Sequence, residues 1–143
     1  MRAILGLLFL ACAAVAQAPT FQAVGTTSQI MLVMTYPFSD ALLYIERNPP
    51  KTDREWTAME YNALMVAESG NLLMIGFRAR DQEGWMRDAK LLVDAGAAAL
   101  KAARAKDLNG ILALNEQIVT SCTECHSHYR PGYGRRRAAN SNN

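Results

Sequence analysis

Apolar residues in this chain recur at alternating steps of three and four in four separate stretches, and nowhere do they alternate with the period of a strand. Such a pattern buries side chains along helix faces, so the fold class read from it is all-α. The first stretch runs from about Thr27 to Arg47 with Ile30, Met31, Met34, Phe38, Ala41, Leu42 and Ile45 in helical period. Pro37 lies inside it, lacks a backbone donor and clashes with the preceding turn, so a kink or break is expected near Tyr36. Asn48-Pro49-Pro50-Lys51 stops this helix, and Thr52 with Glu55 forms a capping box for the next. Trp56, Met59, Ala63, Val66, Gly70 and Leu73 carry that second helix to about Ile75, with Gly76 as terminator. The third spans about Asp81 to Lys106 with Trp85, Ala89, Leu92, Gly96, Leu100 and Ala103 on one face. Its alanine-rich run from Ala95 to Ala99 suits close approach of a helix or a flat ligand, or reflects helix propensity alone. Asp107 can cap a fourth helix through Ile111, Leu114, Ile118, Cys122, Cys125 and Tyr129, ended by Pro131-Gly132. Four amphipathic helices with short connections predict an antiparallel four-helix bundle, a fold that builds cofactor sites from facing side chains.

The chain has 143 residues, enough for one domain, and its 50% hydrophobic and 20% charged composition can fill a core. Residues 1–16 read as a cleaved secretory signal: an early arginine, an apolar run from Ala3 to Val15 and small residues spaced A-x-A. That run is shorter than the ~20 residues a bilayer span needs, so no integral membrane span is expected. A loose lipoprotein-like context at Cys12 leaves lipid modification as an alternative. Residues 17–129 form the predicted body and 130–143 a basic tail whose Gly, Arg and Asn content predicts disorder. The formal charge of +2 belongs to the ends. Without Arg2 and the four tail arginines, ten basic residues face thirteen acidic ones, a body charge of −3, so a nucleic-acid partner has no support. The tail could dock on an anionic partner or serve no binding role.

Chemistry concentrates in Cys122-Thr123-Glu124-Cys125-His126, the C-x-x-C-H pattern of covalent haem c attachment. On a helix these three side chains share a face: two thiols can add to the porphyrin vinyl groups while His126 reaches the iron as proximal ligand. A thioredoxin-like pair would need a βαβ pattern that is missing. A zinc site from Cys122, Cys125, His126 and His128 would crowd its ligands on one helix. A disulfide three residues apart would close a very small loop. His128 reads as a solvated surface histidine. Arg78 and Arg80, after the second helix, are candidates for charge-assisted hydrogen bonds to haem propionates, or solvated loop charges. Tyr129, one turn beyond Cys125, is a candidate haem contact, and Trp56 and Trp85 are core aromatics. Asn71 is a candidate hydrogen bonder across the bundle. No Ser-His-Asp set, P-loop or carboxylate pair is present, so the chain is not read as an enzyme.

This C-T-E-C-H near the C-terminus, with residues 50–56 (PKTDREW), 67–74 (AESGNLLM) and 93–103 (VDAGAAALKAA), resembles the class II c-type cytochromes of the cytochrome c-prime type. The likeness runs from about Gly25 to Tyr129. It implies one covalent haem c in a periplasmic four-helix bundle, often a homodimer, that exchanges electrons with redox partner proteins. In that family the distal ligand sits on the first helix, methionine in electron carriers and an apolar residue in proteins that bind gases such as nitric oxide. Met31 is the expected distal ligand here, Met34 the alternative, and two core-filling methionines around an open iron the third case. The expected function is electron transfer; gas binding or scavenging is the alternative.

Overall fold

The computed structural model describes residues 21–22 and 24–133; the segment read as a signal and residues 134–143 of the tail lie outside these. Among the described residues every regular element is helical, as the three-four spacing predicts. In chain order they are α1 (Thr27–Ile30), a π-helical stretch (Met31–Thr35), α2 (Tyr36–Leu43), a 3-10 turn (Ile45–Arg47), α3 (Asp53–Leu73), α4 (Gly84–Arg104), α5 (Leu108–Ala113) and α6 (Asn115–Tyr129). None is long and apolar enough to cross a membrane.

The helix starts follow the side chains that satisfy the first free amides. Thr52 and Glu55 form the expected capping box, the carboxylate accepting from the Thr52 amide at 2.8 Å and the Lys51 amide at 2.7 Å. Thr26 and Gln29 form a second box at the start of α1. Asp107 caps α5 by accepting from the Gly110 amide at 2.8 Å. Asp81, expected to open the third helix, instead accepts from the Glu83 and Trp85 amides at 3.1 and 2.9 Å, so the helix proper starts at Gly84. That helix ends in a Schellman arrangement: Asp107 donates to the Ala102 carbonyl and Lys106 to that of Ala103, with Lys106 at φ 53 where glycine is usual.

Two expected helices are interrupted. Pro37 does not break the first rod; the ladder upstream widens, so that Tyr36 donates to the Met31 carbonyl five residues back. In a regular helix the proline ring would clash with the carbonyl four residues back, and a widened turn is a way to relieve such a clash. The fourth helix is divided at Leu114, which closes a tight turn onto the Ile111 carbonyl at 3.0 Å before α6 begins.

The most extensive packing is between α3 and α4. Ala67 and Gly96 pass so closely that a methyl on Gly96 would overlap the Ala67 backbone, and one on Gly70 would lie 2.7 Å from Val93 Cγ2. Small residues at this crossing let the surrounding apolar groups close around it. Ala63, Val66, Ala95, Ala99 and Ala103 are fully buried, together with Leu42 and Ile45 from the first rod and Ile111 and Ile118 from the last. Trp56 and Trp85 are buried, as expected of core aromatics. The first rod joins α3 through a buried hydrogen bond, Thr35 Oγ1 to Ser69 Oγ at 3.0 Å. Three more links gather four segment ends: Arg78 donates to Gly25, Trp85 Nε1 to the Leu73 carbonyl at 2.7 Å, and Arg80 to Tyr129.

Because the Gly96 contact is with backbone, it cannot be relieved by a rotamer change. We expect Gly96→Ala to destabilise the protein by about 1–3 kcal/mol in urea unfolding. Gly76→Ala, where a methyl meets nothing within 4 Å, should stay within about 0.5 kcal/mol of wild type.

Candidate functional site

The last two turns of α6 present Cys122, Cys125 and His126, all half-buried. Neither cysteine is in a disulfide. Burial raises the Cys122 thiol above its ordinary value. Cys125 is pushed up to about 11, first by burial and then by the negative charge of Asp88, with Arg80 opposing. Both side chains are therefore protonated thiols at neutral pH. Burial, and then the nearby Arg130 guanidinium, hold the His126 imidazole below its usual range, so the ring is neutral at pH 7 and has a free lone pair. It packs edge-to-face with the Tyr133 ring, centroids 5.2 Å apart.

The same helix is tied to α4 and to the residues just before it. Asp88 is 1% exposed, and its carboxylate accepts from Arg87 Nε and Nη2 at 3.1 and 3.0 Å. Its second oxygen lies 2.6 Å from His128 Nδ1. His128 is thus not the free, solvated histidine expected: one edge faces solvent while the other is bound to a buried carboxylate. Tyr129 packs edge-to-face on Trp85 at 4.9 Å and donates its hydroxyl to Asp81 at 2.5 Å.

The remaining predicted residues divide into two places. Arg80 belongs with the cysteines: Nη1 donates to the Tyr129 carbonyl at 3.3 Å, and its charge acts on Cys125. Arg78 is directed elsewhere, donating to the Gly25 carbonyl at 3.1 and 3.3 Å and to that of Leu72 at 3.3 Å. It lines a mainly apolar groove of about 420 Å³ with Ile30, Val33, Met34, Leu72 and Ile75; no α6 residue contributes. Met34 lines that groove and Met31 does not, although both are half-buried and pack on the core. Asn71 does not cross the bundle: it is exposed and donates to Glu68 on its own helix. Sequence reasoning passed over Asp88, which interrupts the stripe Trp85, Ala89, Leu92; a carboxylate in that register was the available signal.

The donor set fits a covalently held haem: two unpaired thiols three residues apart, an adjacent neutral imidazole, and partial burial of all three. Among the described residues, no group of three or more His, Cys, Asp or Glu side chains is placed to enclose a metal ion by itself.

Two predictions follow from the α4 side. Asp88→Ala removes a buried carboxylate and its hydrogen bonds but leaves Arg87 and His128 able to hydrate, since both are largely exposed, so it should cost about 1.5–3 kcal/mol in chemical unfolding. Asp94→Ala, which removes only the exposed Lys90 pair at 2.6 Å, should cost about 0.5 kcal/mol or less. The Tyr129 to Asp81 bond predicts a pH window. It pushes Tyr129 up to about 12 and is the largest of the influences holding Asp81 below its ordinary value. Its stabilisation is therefore present below about pH 10, the unfolded tyrosine value, and lost as pH rises through the folded one. On the acid side it is present above about pH 3.9 and lost as Asp81 protonates. The difference in Tm between wild type and Tyr129→Phe should be flat between these limits and shrink beyond both.

No family model, curated protein or solved structure matches this chain in sequence or fold comparisons.

Proposed function

We propose that this chain is an exported, periplasmic mono-haem c-type cytochrome of the class II kind, an electron-transfer protein and not an enzyme. One observation carries the reading: Cys122, Cys125 and His126 follow one another on α6 as two unpaired thiols and a neutral imidazole, all half-buried. The links among the segment ends support an antiparallel four-helix bundle around the group. When bound, the haem supplies a one-electron couple at its iron.

The chain's own residues do the rest. Cys122 and Cys125 would hold the group by thioether bonds, and His126 would bind the iron through its free nitrogen. Met31 is assigned the distal position. It is half-buried against the core, lies outside the groove that Met34 lines, and opens a π-helical stretch, a feature frequent at functional sites. A thioether ligand favours the reduced state, which suits an electron carrier. Arg80 is the better of the two arginines for a propionate, since Arg78 already serves two carbonyls. Redox proteins of the same compartment would be the partners, and a homodimer is compatible with the assignment.

Expression with a cytochrome c maturation system tests the assignment. A haem-stained band should survive denaturing electrophoresis and disappear in the double variant Cys122→Ala, Cys125→Ala. Met31→Ala should convert a low-spin spectrum to high-spin, and Met34→Ala should not. A wild type already high-spin at neutral pH and unchanged by Met31→Ala would replace electron transfer by gas binding, while absence of the stained band would remove the cytochrome reading altogether.

A further inference from the structure

The residues just beyond α6 do not lead straight away from it. Arg130, Pro131, Gly132 and Tyr133 form a turn in which the Tyr133 amide donates to the Arg130 carbonyl at 3.1 Å. Proline second and a glycine at φ 79 third are the signature of a type II turn. The positive φ explains the glycine: a residue with a Cβ is strained there. The Arg130 amide meanwhile donates to the His126 carbonyl at 3.0 Å, so the turn starts from the residue it serves. The outcome is the Tyr133 ring folded back against the His126 imidazole, centroids 5.2 Å apart at 65°.

We propose that Tyr133 is a positioning residue for His126: the type II turn holds its ring against the imidazole, fixing the rotation of that ring and covering it from water. The inference rests on His126 being the proximal iron ligand. An imidazole on an otherwise half-exposed helix face can rotate about its side-chain bonds, and an edge-to-face aromatic neighbour selects one orientation. Ring orientation and water access around a ligating histidine are the means by which surrounding residues tune a metal. Tyr133 is partly exposed, at 38%, and outside the buried core, so replacing it leaves the packing of the bundle intact.

The experiment uses purified protein whose covalent haem has first been established by staining; without that band the cytochrome assignment fails and the role of Tyr133 is refuted with it. With haem present, Tyr133→Leu and Gly132→Val should each shift the hyperfine-displaced NMR resonances of the His126 ring. They should also lower the midpoint potential, because water admitted beside the ligand favours the more highly charged oxidised state. At a solution potential that half-reduces wild type, both variants should show a several-fold smaller reduced-to-oxidised ratio, with Tm unchanged. Tyr133→Phe keeps the ring and should retain both wild-type values. The proposal is overturned if Tyr133→Leu or Gly132→Val leaves the resonances and potential as in wild type. It is equally overturned if Tyr133→Phe shifts them as far as Tyr133→Leu, since the hydroxyl and not the ring contact would then be the active element.

Discussion

Close approach of α3 and α4 is the contact on which the other elements depend. Gly70 and Gly96 remove side chains where the two helices cross, and the backbone of Ala67 occupies the space a Gly96 methyl would need. Dispersion and burial both reward that fit, since a gap of even a fraction of an ångström forfeits much of the contact energy. Once this pair is set, Trp85 at the start of α4 reaches the Leu73 carbonyl, and Asp88 one turn later is carried into the interior against α6. The position of the C-x-x-C-H turn is therefore decided on α4.

Asp88 introduces a conflict that the rest of the site manages. A buried carboxylate is tolerated only when hydrogen-bonded, and Arg87 and His128 supply those bonds. The same negative charge lies close enough to Cys125 to oppose its ionisation, adding to the effect of burial. For a thiol this means low nucleophilicity, because the thiolate is the reactive form. A thioether has no proton to lose. Under the proposed attachment the charge that organises α6 therefore works against Cys125 only before the haem is bound.

The three-four spacing made the all-helical fold legible, and the Thr52 and Asp107 caps marked two helix starts to within a residue. The capping side chains were readable because their partners lie three residues away, whereas Asn71, with Glu68 equally near, was read as reaching across the bundle. What could not be read depends on residues distant in sequence or on backbone hydrogen bonding. The pairing of Asp88 with His128 spans 40 residues, so His128 looked like a free surface side chain. Asp81 did act at the start of the third helix, but from outside it, since its carboxylate also takes the Tyr129 hydroxyl. Pro131-Gly132 was recognised as a stop. That it is also a return, carrying Tyr133 back to His126, follows from the sign of one φ angle.

Pro37 shows how one missing backbone donor can redirect side chains within the two preceding turns. In a regular helix Met31 and Met34, three residues apart, project from nearly the same side. Hydrogen bonds reaching five residues back turn the chain less per residue, so across Met31–Thr35 the two side chains diverge. Met34 goes to the groove beside Leu72 and Ile75, and Met31 does not. The π-helical stretch ends directly before Tyr36 and Pro37, where the missing amide and the ring prevent the regular ladder from closing. Two methionines that sequence spacing makes equivalent are thereby made different by a proline: both pack on the core, but only Met34 lines the groove.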